Sequence, residues 1–316
     1  MKKLISVILA LIVTVSMFAG CNLNTPADSG KLKIVATIFP LYDWACAVAD
    51  NTDAQVELLL DNGVDMHSFQ PPAKDIIDIS DCDLFLYVGG ESDEWIDDVL
   101  EQAGNDDMIA LNCINILGNQ AKEEELIEGM QTEDEEDSAY DEHVWLSLKN
   151  AALFTEEICA ALSQLDEENA DRYRVNATEY TYLLNDLDAE YQTAVDNAAV
   201  KTLLVADRFP FRYLTDDYDL SYYAAFPGCS AETEASFTTI LFLANKVDEL
   251  KLKTILQTEG SDGSIPKTIK ENTADKNQQI LTLDSLQNIT RKRIDAGESY
   301  LSIMQSNLNV LKQALT

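Results

Sequence analysis

The sequence predicts an α/β protein with two series of parallel strands, on three observations. Short apolar runs alternate with helical stretches from Lys31 onward, the pattern of a parallel sheet with crossover helices. A second alternating series fills the C-terminal part. Between the two lies one long helical stretch, about Asp166 to Ala198, without a Pro or a Gly.

In chain order, the first strand candidates are Ile34–Ile38, Val56–Leu60, Leu84–Val88 and Met108–Leu111, with helical patterns between them such as Glu94–Ala103. In the long stretch, Tyr173, Ala177, Tyr180, Leu184, Leu187, Tyr191 and Ala194 recur at alternating steps of four and three, which is one face of a helix. A coiled-coil seam would give the same spacing, but the heptads stop at each α/β series, so a helix packed along both halves of its own chain fits better. The second series offers strands at Thr202–Ala206, Tyr222–Phe226, Thr254–Gln257 and Gln279–Leu283, with helices at Ser236–Leu250 and Glu298–Leu315.

The chain has 316 residues, enough for roughly two domains of about 150 residues. Its charge is unusual: 22 Lys and Arg against 56 Asp and Glu, a formal net charge of −34. Nucleic-acid binding needs clustered cations to meet phosphates, so the charge argues against that class, and a polybasic membrane-surface protein is equally disfavoured. An acidic surface suits a protein that handles cations.

The first residues read as targeting signal rather than fold. Lys2 and Lys3 precede an apolar run, Leu4–Phe18, too short for a spanning helix of about 20 residues. Ala19-Gly20-Cys21 follows, and Phe18-Ala-Gly-Cys21 resembles a bacterial lipobox, which implies lipidation of Cys21 after removal of residues 1–20. Phe18 departs from the usual Leu or Val. Residues 21–30 are polar and rich in turn formers, a tether. The other cysteines, Cys46, Cys82, Cys113, Cys159 and Cys229, are odd in number and form no CxxC pair, which argues against a disulfide framework or a zinc ribbon. Glu123–Glu142 holds eleven acids, and charge this dense reads as a mobile, solvated loop that either collects cations or has no role.

The chain has two histidines. His67, in Asp65-Met-His-Ser-Phe-Gln-Pro-Pro72, follows a strand candidate and precedes a helix. His143, in Asp141-Glu-His-Val-Trp-Leu-Ser147, begins a helix directly after the acidic loop. Loops at the carboxyl ends of parallel strands are where α/β proteins bind ligands. Imidazole is the commonest metal-ligating side chain, so two such loops in an acidic exported chain point to a cation. No Ser or Cys nucleophile lies near either His, and there is no P-loop, so no catalytic set is expected.

These stretches resemble the cluster A-I zinc and manganese solute-binding lipoproteins of ABC importers. Thr37-Ile-Phe-Pro-Leu-Tyr-Asp43 is similar to that family's opening strand and turn, His67-Ser-Phe-Gln-Pro71 to its first ligand motif, and Glu142-His-Val-Trp-Leu146 to its second. Gly297-Glu-Ser-Tyr-Leu301 resembles its closing helix, and the charged loop before His143 its zinc branch, where the loop is commonly His-rich. The resemblance implies two (β/α) lobes with parallel sheets, joined by one long rigid helix, with the metal site in the cleft. It implies a lipoprotein signal peptide at 1–20, a tether at 21–30, an N-terminal lobe at 31–165 with the acidic loop at 121–142, a linking helix at 166–198 and a C-terminal lobe at 199–316.

It also implies ligands. His67 and His143 come from the first lobe, and Asp284, in Leu281-Thr-Leu-Asp-Ser285, falls where the family places an acidic ligand. The family's remaining ligand position is occupied by Arg208, in Ala206-Asp-Arg-Phe-Pro-Phe-Arg-Tyr213, and guanidinium does not coordinate cations. Asp207 and Glu259 are the candidates to replace it, with Cys229 a further one. The alternative is Arg208 bridged to Asp284 and Glu259. The implied cation is Zn2+, with Mn2+ the other choice for mixed nitrogen and oxygen donors. The implied partner is an ABC transporter permease, and the implied setting is extracytoplasmic, a monomer anchored to the bacterial cell membrane through Cys21. A surface zinc-dependent hydrolase, or a metal-free solute-binding protein or adhesin on the same fold, are the competing readings.

Overall fold

The first four-stranded sheet is built from β1 (Lys33–Ala36), β2 (Gln55–Leu58), β3 (Leu84–Tyr87) and β4 (Ile109–Asn112), in the order β2-β1-β3-β4. All pairs are parallel, with Ile34 beside Val56, Val35 beside Phe85 and Leu86 beside Leu111. Every residue of β3 is buried, which is why it reads as an unbroken apolar run. Helices α1 (Phe39–Val48), α2 (Ala73–Ser80), α3 (Trp95–Leu100) and α4 (Cys113–Leu117) carry the chain between and after these strands. Pro40 sits in the first turn of α1, where a missing N–H costs nothing. This computed structural model describes residues 31–132, 140–230 and 234–316; the signal segment, Cys21, the tether and acids 133–137 of the loop lie outside the described residues.

Helix α5 (Leu148–Leu165) is capped by the Ser147 hydroxyl, which accepts from Asn150 N at 3.0 Å. Helix α6 (Ala170–Asp196) follows after a break at Asp166, whose carboxylate accepts from Asn169 and the Tyr173 hydroxyl. Its 27 residues span about 40 Å. Of the expected stripe, Tyr173, Ala177, Leu184, Leu187 and Tyr191 are buried, and Tyr180 and Ala194 half-buried. The N-terminal half of α6 is tied to the first lobe: Asn176 donates to the Val48 carbonyl and Tyr180 to Asp43. Its C-terminal half meets the second, where Tyr191 stacks on Tyr218 and Asp188 accepts from the Tyr218 hydroxyl.

The second sheet repeats the scheme with β5 (Thr202–Phe209), α7 (Arg212–Asp217), β6 (Ser221–Pro227), α8 (Phe237–Leu250), β7 (Thr254–Gln257), α9 (Ser264–Asn272) and β8 (Gln279–Thr282), in the parallel order β6-β5-β7-β8. Strand β5 runs beyond its expected end at Ala206, through an irregularity between Val205 and Arg208. Arg208 therefore ends a strand instead of lying in a loop. Helices α10 (Arg291–Asp295) and α11 (Tyr300–Ala314) close the chain, the latter opened by a reciprocal cap between Ser299 and Ser302.

In each sheet the chain leaves the first strand to one side and returns to the other, which creates a switch point at the carboxyl ends. Loops from those ends join the two halves. Arg291 N donates to the Asp61 carbonyl, Asn62 bridges Thr290, and Trp145 donates to the Ser285 carbonyl.

The acidic stretch is less free than its charge density suggests. Glu124 accepts from Cys229 N, Glu125 pairs with Arg212 and accepts from the Tyr222 hydroxyl, and Gln131 N donates to the Ala225 carbonyl. Its described part is pinned to the second lobe because Arg212, the Tyr222 hydroxyl and the Cys229 N–H there take up its carboxylates.

Candidate metal centre

His67 lies on the loop after β2, in a single turn of 3-10 helix, Met66–Ser68. Asp65 caps that turn by accepting from His67 N at 3.1 Å. The ring Nδ1 meets Ser92 Oγ at 2.7 Å and lies 3.4 Å from Glu142 Oε2. Ser92 N in turn donates to Glu142 Oε1 at 2.8 Å. The loop after β3 and the segment before His143 thus orient one imidazole together.

His143 is fully buried and directly precedes the turn Val144–Leu146. Asp141 Oδ1 accepts from both its backbone N and its Nδ1, each at 2.9 Å. The two imidazole centroids are 5.5 Å apart. Gln287, on the loop after β8, points its amide between them: Nε2 is 2.6 Å from His143 Nε2 and 3.3 Å from His67 Nε2. Each ring thus has Nδ1 engaged on its outer side, by Ser92 or by Asp141, and turns Nε2 inward; the Nδ1–H tautomer would leave that inner nitrogen with a free lone pair. That is the tautomer a cation requires, with lone pairs turned inward and carboxylates holding the outer nitrogens.

Cys229 completes a group. The ligand atoms of His67, His143 and Cys229 all lie within 4.8 Å of one another. Cys229 follows β6 and is half-buried and unpaired by any disulfide. Gly228 lets it come close: a Cβ there would stand 2.9 Å from the Phe209 carbonyl oxygen and 3.0 Å from His143 Cε1.

The other expected ligands are not brought into this group. Asp284 Oδ1 accepts from Leu286 N at 2.8 Å and Oδ2 pairs with Arg293 at 2.7 Å. Glu259 accepts from Ser285 N and Ser285 Oγ, both at 2.8 Å, so it holds the loop that carries Gln287. Asp207 accepts from Arg208 N and from the Thr258 hydroxyl at 2.7 Å. Arg208 pairs with Asp65 Oδ2 at 2.8 Å, not with Asp284 or Glu259 as the competing reading had it. These carboxylates are committed to local donors, which is the physical reason they do not converge on the histidines.

Electrostatics follow from the packing. Burial acts to raise the Glu142 carboxyl, but His67 and Ser92 outweigh it and hold the group below its usual range. Asp65 is likewise lowered: burial opposes, and His67 and Arg208 prevail. Burial pushes Glu259 up, and the nearby Asp284 charge adds to it. Burial, with Glu124, Asp141 and Glu142 adding to it, pushes the Cys229 thiol far above its ordinary value, so the thiol is protonated without a cation. The cleft therefore gathers two imidazoles and a soft sulfur inside a ring of carboxylates.

Gln287 was missed in the sequence because an amide is not a usual ligand type. The available signal was its position five residues after β8, on a loop at the carboxyl end of a strand.

Residues 34–314 match the family described as zinc-uptake complex component A, periplasmic. The zinc-binding lipoprotein AdcA of Streptococcus pneumoniae is 32% identical over 317 residues, covering 99% of this chain and 61% of the relative. The chain thus spans about three-fifths of the length of such streptococcal relatives. The high-affinity zinc uptake system protein ZnuA of Bacillus subtilis is 29% identical over 319 residues, with 98% of this chain and 96% of the relative covered. Among solved structures, the Zn(II)-bound ZnuA-like domain of S. pneumoniae AdcA aligns with a TM-score of 0.72 and 28% identity, over 90% of this chain and 99% of that one.

Proposed function

Since the chain belongs to the family of zinc-uptake component A, we propose that it captures a divalent cation, zinc first, between its lobes and delivers it to an ABC permease. The observation that carries this reading is the pair of inward-facing Nε2 atoms, of His67 and His143, each ring held from outside through its Nδ1. The zinc named in its relatives supports Zn2+ as cargo. Two imidazoles with further donors suit four-coordinate zinc. Mn2+ is the rival cargo.

The surrounding carboxylates raise the local concentration of cations and steer them inward. Trp145, buried between the lobes, and the neighbouring turn keep His143 fixed while the cation enters. The protein acts outside the cytoplasm, held at the membrane by a lipid on Cys21.

The test is elemental analysis of untagged protein, followed by calorimetric titration. Stoichiometric zinc, displaced by chelator and restored on titration, is expected. Protein that takes up neither zinc nor manganese would overturn the reading and favour a metal-free binding protein. Loss of membrane partitioning in Cys21→Ser checks the anchor separately.

A further inference from the structure

The unsettled part of the site is its third donor, since Arg208 stands at one expected position and Asp284 turns away to Arg293. We propose that Cys229 supplies that donor as a thiolate, so the cleft grips its cation through two nitrogens and one sulfur and selects thiophilic ions over Mn2+. This rests on the reading of the cleft as a cation site.

Three observations support it. Cys229 Sγ belongs to the converging group of His67 and His143, within 4.8 Å. A tetrahedral zinc, with bonds of about 2.0 Å to nitrogen and 2.3 Å to sulfur, separates its donors by about 3.3–3.5 Å. The three donors therefore have to close by about an ångström on binding. The loop is also shaped for the approach. Gly228 lies against the His143 ring where no Cβ fits, and Glu124 holds Cys229 N at 2.9 Å. Finally, the oxygens of Asp207, Glu259 and Asp284 are occupied by Thr258, Ser285 and Arg293.

Binding forms one sulfur–cation bond, and the thiol proton leaves to solvent. Thiolate is a soft ligand that favours zinc or cadmium, whereas Mn2+ prefers oxygen. Bound Zn2+ would also shield the sulfur from alkylation.

The probe is Co2+, titrated into the full chain under reducing conditions. Wild type is expected to show visible ligand-field bands and, in the near ultraviolet, a sulfur-to-cobalt charge-transfer band. Cys229→Ser should keep the first and lose the second, and bind zinc at least tenfold more weakly while manganese binding changes little. Cys46, Cys82, Cys113 and Cys159 remain in both proteins, so the difference reports Cys229 alone. Cobalt bound by wild type without the charge-transfer band overturns the sulfur donor and leaves the histidine site standing. No cobalt binding by wild type overturns both. Cys229→Ala, compared by circular dichroism, separates loss of a donor from loss of fold.

Discussion

Trp145 Nε1 donates to the Ser285 carbonyl at 2.8 Å, and each residue stands two positions from one that faces the cleft, His143 and Gln287. The indole is buried and its own carbonyl accepts from the Tyr300 hydroxyl at 2.6 Å. This contact helps to fix the spacing between a first-lobe imidazole and the second-lobe amide, together with the bonds of Arg291 to Asp61 and of Asn62 to Thr290. Trp145→Phe keeps one aromatic ring but loses the pyrrole part with its donor, leaving a buried carbonyl without its partner and a small cavity beside it. Stability is expected to fall by about 1–3 kcal/mol in urea denaturation, with weaker cation binding. Unchanged stability and affinity would show that the contact is incidental.

His67 and His143 each present one nitrogen to the cleft, so His67→Ala or His143→Ala should cut zinc affinity at least tenfold, about 1.4 kcal/mol. Asp141→Asn keeps an oxygen for Nδ1 of His143 but drops the charge, and a loss of roughly tenfold is expected. Wild-type titration curves for both alanine variants would remove the site from this cleft.

Much of this arrangement was legible in advance, and the physical reason differs by element. Eight strand candidates overlap β1–β8, most plainly the central strands β1, β3, β5 and β7, whose burial makes them short apolar runs; the edge strands β2, β4 and β8 are mixed in sequence because they are only partly covered. The face of α6 was readable because one stripe packs on both halves. The loop after β8 was not. There Leu286 adopts a left-handed φ of 60° while buried, reversing the chain so that Asp284 faces Arg293 and Gln287 faces the histidines. Nothing in the residue pattern announces that reversal, since Leu rarely occupies that region. Cys229 was one of several candidates on loops, and only folding shows which of them meet.

Asp93 gives a pH signature. It is buried beside the cleft and accepts from Val88 N and Gly89 N. Burial pushes its carboxyl from 3.8 up to about 7, and the Glu142 charge adds to this. A raised acid favours the fold when protonated, so its contribution is full below the ordinary value and is lost as pH rises through the shifted one. Across that window each pH unit removes at most about 1.4 kcal/mol. Asp93→Asn stays neutral and should show a flatter dependence of the urea midpoint on pH between the two values. An equally steep curve in the variant would assign the effect to other groups.

Gln287 caps the two nitrogens with an amide, and a cation entering there must displace the Nε2 contact. A half-turn of the amide would present its oxygen instead. Gln287→Glu places a carboxylate at that position, and zinc affinity is expected to rise by about tenfold, measured by competition with a chelator. Weaker binding would mean that the carboxylate locks onto Arg293 or protonated imidazole instead of the cation.

Arg208 sets two effects against each other. Its pair with Asp65 steadies the turn that carries His67, and it also cancels a negative charge two residues from that ligand. A partly exposed ion pair is worth about 0.2–1 kcal/mol, so losing the support costs little. At a separation of roughly 8 Å, an uncovered carboxylate and a doubly charged cation would attract by about 1 kcal/mol even in water-like surroundings. The second effect wins in dilute buffer. Arg208→Gln, which replaces the guanidinium with a shorter, neutral amide and so uncovers Asp65, should therefore bind zinc several-fold more tightly at low ionic strength. The gain should shrink as salt shortens the screening length to about 3 Å near 1 M. A loss of affinity that persists at every salt concentration would show instead that Arg208 holds His67 in place, and that this support outweighs its charge.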